Sequence, residues 1–452
     1  MALSTEPVGS VVEAPARSPL RHRVRGRVLM LLCVLYAVSY VDRTAISTAG
    51  PVIRADLHLS ATQFGVALAA YSLPYALLQV FGGWIGDRYG PRKVLGILAV
   101  AWGISVIWTG LATGLLALGA ARLLLGLSEG AAFPTATRAM SSWLPGDRRG
   151  YGQGVVHSAA RIGAAIAPLV MAGLITTVGW RAGFVALGVL SALWSVVWLR
   201  RFRDRPQDDD RVSEAELREL DARHADEARG TTSTVNRRQV PWRRLVARIA
   251  PVTLVDFCYG WMLWVYLTWL PSFFQEQYGL ALAGFALFTS LVLSAGVVSD
   301  TLGGMLSDRL LARTRSLRTA RRANLVIGLS GSMLALIPSL LVHDLVLVTL
   351  SLTVSFFFLE LTNSALWAIP MDIAPDHAGV ASGLMNTGFG VAGIVSPIVF
   401  GFLVEQTGNW QVPFALSVGL LALGTLLSLR VDPRPLDPEP VGAPPGLAGS
   451  RS

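Results

Sequence analysis

The sequence predicts an all-α integral membrane protein whose twelve membrane-spanning helices form two bundles of six. Of its 452 residues, 52% are hydrophobic and 15% are charged, a composition that fits no ordinary soluble domain. Twelve apolar stretches have the length of about 20 residues that a helix needs to cross about 30 Å of hydrocarbon. One motif occurs in both halves of the chain, which indicates that the two bundles are related.

The predicted spans are evenly divided between the two halves. They cover approximately residues 28–50, 62–85, 94–112, 115–138, 152–177 and 182–200 in the first half, and 250–274, 282–307, 323–342, 345–371, 379–404 and 411–430 in the second. Glycine and proline are frequent inside them. Helices embedded in lipid tolerate both residues, and glycine favours close helix packing.

The positive charges indicate the orientation of the chain, because short cytoplasmic loops collect lysine and arginine. If the N-terminus is cytoplasmic, all but five of the 38 basic residues lie in segments that face the cytoplasm. Arg54 and Arg181 occupy outward loops, and Arg43, Arg122 and Arg161 fall within spans. We therefore predict a multi-pass protein of the cell (inner) membrane with both termini cytoplasmic. The net charge of +9 then reflects a basic inner face against anionic lipid and does not indicate nucleic-acid binding.

Polar segments separate the predicted domains. Residues 28–200 form the N-terminal six-helix bundle, and residues 250–430 form the C-terminal one. Residues 201–249 form a cytoplasmic linker between them. Residues 1–27 and 431–452 are predicted to be disordered cytoplasmic tails because they are polar and rich in proline.

A loop motif follows both the second and the eighth span. Residues 82–93 read GGWIGDRYGPRK, and residues 302–315 read LGGMLSDRLLARTR. Glycine lets two helices approach, the aspartate can accept from a neighbouring helix N-terminus, and the arginine can pair across a cytoplasmic gate. The predicted gate residues are Gly82, Gly83, Gly86, Asp87, Arg88, Gly90, Arg92, Asp308 and Arg309. The repeat resembles the loop motif of the major facilitator superfamily, whose two bundles move about a central site.

Five charged residues lie inside spans of the first half. Asp42 and Arg43 are adjacent in YVDRTAIS, Arg122 and Glu129 belong to the fourth span, and Arg161 belongs to the fifth. A charge within the bilayer costs several kcal/mol unless it faces a cavity or a partner, so these residues are candidates for a substrate path. Their charges sum to +1 with both acids ionised and to +3 with both protonated.

This set of charges predicts a link between protons and an anion. Desolvation favours the neutral form of a carboxyl group, whereas arginine keeps its charge and binds carboxylates through two nitrogens. Protonation of Asp42 or Glu129 would free an arginine for an anionic substrate, so each ligand would favour the other. The alternative interpretation is that Asp42–Arg43 and Arg122–Glu129 are permanent structural pairs. Arg161 has no acid nearby in the sequence, and we expect it to meet substrate or a carboxyl from another span.

The second half contributes aromatic and amide groups that could hydrogen-bond hydroxyls or stack on a substrate. Aromatic residues in membrane helices more often serve packing, so each is a weak candidate singly. Asn386 is the best of them, and Glu360 is either a third proton-sensitive group or the partner of an arginine. The further candidates are Tyr40, Trp264, Tyr266 and Trp367 for substrate contact, with His157 and Asn363 as possible additions.

Several segments resemble the anion:cation symporter family within the superfamily, which includes sugar-acid, hexuronate, glucarate and phthalate carriers and the vesicular glutamate transporters. They are YVDRTAIS, RLLLGLSEGAAFPTATRAMSSWLP, YLTWLPSFF and DIAPDHAGVASGLMNTGFGVAGIVSPIVFG. The resemblance implies proton-driven import of an organic carboxylate, with Asp42 and Glu129 as proton-coupling acids. It also implies substrate contacts by Arg43, Tyr75 and Asn386, and it identifies Arg122 as the family's arginine of the fourth span.

Two departures from the galactonate-type carriers bear on the substrate. The fifth span has Ala160 and Arg161 where those carriers have a glutamine, and the eleventh span has Gly390 in place of a second amide. Fewer amides and an added cation favour a substrate with fewer hydroxyls or with a second anionic group. A dicarboxylate, an aromatic acid or a short hydroxy acid is thus as plausible as a sugar acid.

The leading hypothesis is a proton-coupled importer of a small organic anion that acts as a monomer. A drug:proton exporter of the same fold is the alternative, although three arginines within the membrane would be unusual in a site for cationic drugs. An enzyme is disfavoured because the sequence has no Ser-His-Asp set, phosphate-binding glycine loop or metal-ligand cluster. Cys33 and Cys258 lie within spans and predict neither a disulfide framework nor a metal site. No cofactor is expected besides the proton as coupling ion.

Overall fold

The computed structural model describes residues 24–144, 146–218, 220, 242–374 and 378–436, and its regular structure is helical throughout these ranges. The two predicted tails lie outside the described residues up to residue 23 and from residue 437, as does linker segment 221–241. The principal helices are α1 (Val24–Asp56), α2 (Ala61–Ala69), α3 (Ser72–Tyr89), α4 (Pro91–Leu111), α5 (Leu115–Trp143), α6 (Gly146–Arg201), α7 (Trp242–Tyr278), α8 (Leu282–Thr314), α9 (Leu317–Leu336), α10 (Pro338–Leu341), α11 (Leu345–Ile373), α12 (Ala378–Thr407) and α13 (Gln411–Ser428).

The predicted number of membrane spans is confirmed. Within the described residues, eleven helical segments are long and apolar enough to cross a membrane. One of them, Gly154–Arg201, has 48 residues and would be about 72 Å long as a straight helix, more than twice the hydrocarbon thickness. Gly179 interrupts it with φ 82° and ψ 162°, a conformation that glycine adopts readily. Division at Gly179 gives twelve spans.

The helices pack as two halves. In the first half α6 packs on α1 and α4, and α5 packs on α3 and α4; in the second half α12 and α13 pack on α7, and α8 and α9 pack on α11. The halves meet where α6 contacts α8 and where α12 contacts α2 and α3. Glycine permits close approaches: a Cβ on Gly126 would lie 2.1 Å from the carbonyl oxygen of Tyr71, and a Cβ on Gly163 would lie 2.4 Å from that of Ala37. These contacts set the positions of α5 and α6 beside α3 and α1.

The two ends of the bundle differ in their contacts. At one end, called here the linker end, the linker's Glu216 pairs with Arg25 of α1, and Asp432 after α13 pairs with Arg248 of α7. At the opposite, far end, the halves are joined to each other. Arg54 of α1 pairs with Glu276 of α7 at 2.6 Å, and the backbone N–H of Thr62 donates to Glu405 of α12 at 2.9 Å.

The predicted gate motif lies at the linker end. The backbone N–H of Arg92 donates to Asp204 Oδ1 at 2.7 Å, and its guanidinium donates to the Leu199 carbonyl. Arg88 lies over the Trp84 ring at 5.8 Å, while Asp308 and Arg309 are exposed. Gly82, Gly83 and Asp87 belong to α3, and the side chain of Asp87 lies outside the described part. A gating role for this motif stays a prediction.

Candidate functional site

Glu129, at the middle of α5, is the centre of a buried polar cluster in the first half. Its side chain is fully buried, and its two oxygens accept from Ser39 and Arg43 of α1 and from Tyr71, which directly precedes α3. Ser39 Oγ donates to Oε1 at 2.9 Å, the Tyr71 hydroxyl donates to Oε2 at 2.9 Å, and Arg43 donates to Oε2 through Nη2 at 3.0 Å and Nε at 3.3 Å. Glu129 therefore forms an ion pair with Arg43 of α1.

The observed pair, Arg43–Glu129, is neither of the two structural pairs considered from the sequence, which were Asp42–Arg43 and Arg122–Glu129. Asp42 and Arg43 are neighbours, and successive side chains of a helix point about 100° apart, so they face different surroundings. Asp42 turns toward α6, where Ser191 Oγ donates to Oδ2 at 2.5 Å. Its other oxygen, Oδ1, has no hydrogen-bond partner among the described residues. Asp42 is nevertheless almost fully buried.

Aromatic rings surround the guanidinium of Arg43. Its Cζ lies 4.7 Å from the ring centroid of Tyr40, 5.0 Å from that of Tyr71 and 4.8 Å from that of Tyr75, with Phe133 at 5.6 Å. Ring faces attract a cation, most strongly where water is excluded. The aromatic residues thus hold Arg43 in place, and the predicted contacts Tyr40, Arg43 and Tyr75 are brought together.

Arg122 is a buried cation without a direct counter-ion. Its side chain is 3% exposed, and no carboxylate of the described residues lies within ion-pair distance of it. Nη2 makes a long hydrogen bond of 3.5 Å to the carbonyl oxygen of Arg43, and the guanidinium lies over the Tyr71 ring at 5.3 Å. Nε has no partner in the described part of the chain. This arrangement leaves part of the guanidinium available to an anion.

Arg161 joins the two halves. From α6 its Nη2 lies 2.7 Å from Glu360 Oε2 on α11, and its Nε lies 3.9 Å from Asp300 Oδ2 on α8. Asn363 of α11 donates to the other oxygen of Asp300 at 3.2 Å. Arg161 therefore contacts carboxyl groups from other spans, which is one of the two expectations for it. Of the two interpretations of Glu360, the structure shows the partner of an arginine, Arg161.

The sequence reasoning missed two acids of the second half. Asp300 takes part in the Arg161 cluster, and Asp256 of α7 is buried and accepts from the backbone N–H of Phe389 at 3.1 Å. Both lie inside apolar spans, in LVDFCY and VVSDTL. The same cost of a charge in lipid that identified the other acids could have identified these.

Two predicted aromatic contacts of α7 have different surroundings. Trp264 is buried between Tyr71 of the first half, with ring centroids 6.1 Å apart, and Phe389 of α12, at 5.6 Å. Tyr266 donates its hydroxyl to the Leu352 carbonyl at 3.2 Å and packs on Phe356. Trp264 therefore lies near the central cluster, whereas Tyr266 is engaged in helix packing.

The remaining predicted contacts lie around the cluster. The His157 ring lies 5.8 Å from that of Tyr36, one turn before Arg161 on α6. Asn386 is half-buried on α12, and Trp367 is 43% exposed on α11. The structure brings the arginines, the acids, Tyr40, Tyr75 and Trp264 together, and it gives Trp367 no comparable place.

The sequence matches the family model of the Major Facilitator Superfamily over residues 32–397 and 316–451. It is 48% identical over 413 residues to the probable sulfoacetate transporter SauU of Cupriavidus necator, covering 91% of this chain and 95% of that protein. It is 29% identical to the hexuronate transporter of Bacillus subtilis, covering 92% and 96%.

Solved structures share the fold. The inward-facing, unoccupied structure of a bacterial homologue of the human lysosomal transporter Spinster has a TM-score of 0.74 at 15% identity, covering 90% of this chain and 97% of that one. A D-xylose–proton symporter has a TM-score of 0.72 at 16% identity, covering 89% and 97%. The predicted twelve-helix fold of two bundles is thereby confirmed.

Proposed function

Since the chain belongs to the Major Facilitator Superfamily, we propose that it imports a small organic anion together with protons by alternating access, as a monomer in the cell (inner) membrane. Its relatives are named as transporters and not as enzymes. The central cluster supports the class of substrate, and the number of acids supports coupling to protons.

The observation that carries the proposal is the surroundings of Arg122. A buried cation without a counter-ion is unfavourable in a medium of low polarity. An organic anion that reaches Arg122 would supply the direct partner that its guanidinium lacks and form charge-assisted hydrogen bonds with it. Arg43 lies beside Arg122, whose guanidinium donates a hydrogen bond to the Arg43 carbonyl oxygen. Arg43 would provide a second cation for the anion once Glu129 takes up a proton.

The charge of the central region supports a requirement for protons. The sequence prediction of +1 counts one half alone, whereas the structure brings acids of the second half to the same region. Three arginines then face four carboxyls, which gives a charge of −1 when every carboxyl is ionised. The set is Arg43, Arg122, Arg161, Asp42, Glu129, Asp300 and Glu360. An anion entering such a region binds better when carboxyls are protonated, so proton and substrate favour each other.

The chemical class of substrate follows from the relatives together with the three arginines. The 48% identical relative is named for sulfoacetate, a two-carbon compound with one carboxylate and one sulfonate. Such a dianion has no hydroxyl group, and this chain lacks two amide side chains that the galactonate-type carriers have, one in the fifth span and one in the eleventh. We therefore propose a short organic acid with two acidic groups, with sulfoacetate as the first compound to test.

We also propose that both termini face the cytoplasm. The described start of α1, the described part of the linker and the described segment after α13 lie at one end of the bundle, and the distribution of basic residues in the sequence favours the cytoplasm for that end. Accessibility of single cysteines introduced at the linker end, in intact cells and in inverted vesicles, would test this orientation.

Uptake into liposomes tests the function. We expect sulfoacetate uptake by the purified protein to rise when an inward proton gradient is imposed. Arg122→Gln should lower uptake about 10- to 100-fold, the value of a lost hydrogen bond between charged groups. Arg181→Gln, which removes an exposed arginine paired with Asp56 at the far end, is the matched control and should leave uptake unchanged. Extrusion of cationic drugs against protons, with no response to any organic acid, would refute the proposal and support the exporter.

A further inference from the structure

The ion pair of Arg161 differs from that of Arg43 in its position between the halves. Arg161 extends from α6 of the first half, while Glu360 and Asp300 extend from α11 and α8 of the second. The close approach of α8 and α11 rests on Gly296, because a Cβ there would lie 2.8 Å from the Phe356 ring and 3.3 Å from Glu360 Cγ. One cation therefore faces two carboxyls at the junction of the halves.

This junction contains polar atoms that the described residues leave unused. Glu360 is fully buried, and neither its Oε1 nor the hydroxyl of Tyr259 on α7 makes a hydrogen bond of good geometry within these residues, although the two side chains lie close together. The Arg161 side chain is 11% exposed and that of Asp300 is 20% exposed. The cluster is thus accessible on the side of Arg161 and Asp300, while Glu360 lies behind it.

The charged and titratable groups that face Glu360 are few. Arg161 and, beyond it, His157 approach from α6, Asp300 approaches from α8, and Tyr259 approaches from α7. Arg161 can neutralise only one of the two carboxyls. An anion that binds Arg161 therefore displaces Glu360, and the displaced carboxylate is left buried without a cation unless it takes up a proton.

We propose that Arg161, with Asn363 and Tyr259 beside it, is a second anion site that binds the second acidic group of a short dianion while the displaced Glu360 takes up a second proton. This inference rests on the proposed function and adds to it a stoichiometry: one proton at Glu129 for the first acidic group and one at Glu360 for the second. No bond other than O–H is made, and the proton comes from water.

Tyr40 connects the two anion sites. Its ring lies 4.7 Å from the guanidinium of Arg43, and it also interacts electrostatically with Arg161. A ligand that contacts Tyr40 can therefore reach both guanidiniums. This placement favours a single ligand whose two acidic groups contact the two guanidiniums together.

Matched ligands separate the two sites. Sulfoacetate carries a carboxylate and a sulfonate, whereas methylsulfonylacetate keeps the carboxylate and replaces one sulfonate oxygen with an uncharged methyl group. Malonate and monomethyl malonate form a second such pair. For the wild-type protein, calorimetry at pH 6 should show each dianion binding about 10- to 100-fold more tightly than its monoanion partner, the worth of a hydrogen bond between charged groups.

Arg161→Gln tests the residue. In this variant the dianion and its monoanion partner should bind with about equal affinity, while the affinity for methylsulfonylacetate stays within about twofold of wild type. Because this variant leaves Glu360 buried without its cation, the double variant Arg161→Gln/Glu360→Gln removes both charges together and should show the same loss of preference. A dianion preference that survives in both variants would overturn the inference.

Counting protons tests Glu360. Calorimetry in two buffers of different ionisation enthalpy gives the number of protons bound with each ligand. Glu360→Gln should lower this number by one for sulfoacetate and leave it unchanged for methylsulfonylacetate. Asp372→Asn is the matched control, because Asp372 pairs with Arg321 within the second half at the same 2.7 Å; both numbers should equal those of wild type.

The outcomes distinguish the inference from the proposed function. If the wild-type protein binds the monoanion and the dianion equally and Glu360→Gln changes no proton number, the second site is refuted and the anion transporter stands. If the wild-type protein binds none of the four acids, the inference and the proposed substrate class both fail. Loss of one proton in Glu360→Gln with either ligand would place Glu360 at the first anion site and overturn the assignment.

Discussion

Glu129→Gln is the substitution that tests the central cluster most directly. In the proposed mechanism the carboxylate of Glu129 competes with substrate for Arg43, because it already occupies Nη2 at 3.0 Å and Nε at 3.3 Å. Glutamine has nearly the same shape and carries no charge, so it imitates the protonated acid. The variant should bind the anion without first having to release Arg43.

The structure sets the size of the effect. Breaking a buried ion pair by removing one partner costs about 3–5 kcal/mol in stability, because the other charge is left uncompensated. We expect a decrease of this order in the stability of the ligand-free variant. Relief from competition should raise the affinity for the anion by at least about tenfold at pH 7.5, since a hydrogen bond to a charged group is worth about 1.5–3 kcal/mol and tenfold corresponds to about 1.4 kcal/mol.

The assay is calorimetric titration of sulfoacetate into wild type and variant at pH 6 and pH 7.5, with thermal unfolding of both proteins in parallel. Wild type should bind more tightly at pH 6, and Glu129→Gln should have a smaller difference between the two values. Glu276→Gln, which removes an exposed ion pair with Arg54 at the far end, is the control and should change stability by less than about 1 kcal/mol. Weaker binding by Glu129→Gln, or an unchanged pH dependence, would refute the competition between Glu129 and the anion.

Two further predictions concern packing and the linker end. Gly126→Ala should lower the melting temperature of the purified protein strongly, because the new Cβ would lie 2.1 Å from the carbonyl oxygen of Tyr71. Gly119→Ala on the same helix is the control: a Cβ there would have no atom within 4 Å, so the substitution should be neutral or slightly stabilising. A hydrogen bond from Arg434 holds the pKa of Asp432 below its ordinary value, so its contribution to stability is present above about pH 4 and is lost as the pH falls. The difference in melting temperature between wild type and Asp432→Asn should therefore shrink from pH 6 to pH 3.

The fold was predictable because lipid imposes it. A span must be apolar, helical and about 20 residues long, and these constraints are visible in the sequence alone. The helix boundaries were less predictable. The first span was predicted at 28–50, whereas α1 runs from Val24 to Asp56, because a helix continues beyond the hydrocarbon wherever polar contacts stabilise its ends.

The members of the central cluster were predictable, but their pairing was not. The cost of a charge in lipid identified Arg43, Arg122, Glu129 and Arg161 without any structure. That Glu129 pairs with Arg43, 86 positions away in the sequence, depends on how α1 and α5 are rotated and shifted against each other. Packing at glycines and aromatic rings sets this register, and no pattern within a single span records it. The pairing of Asp300 with Arg161 likewise depends on how α8 packs against α6.

The two arginine–glutamate pairs differ in what a movement of the halves would do to them. Arg43 and Glu129 belong to the same half, so their distance is unaffected when one half moves against the other. Arg161 and Glu360 belong to opposite halves, so a movement of one half against the other would change their separation. Drawing a buried pair apart leaves two uncompensated charges at a cost of several kcal/mol, which a bound anion at Arg161 and a proton on Glu360 would remove together. In the proposed mechanism the first pair would respond to the substrate, and the second would make the movement of the halves depend on it.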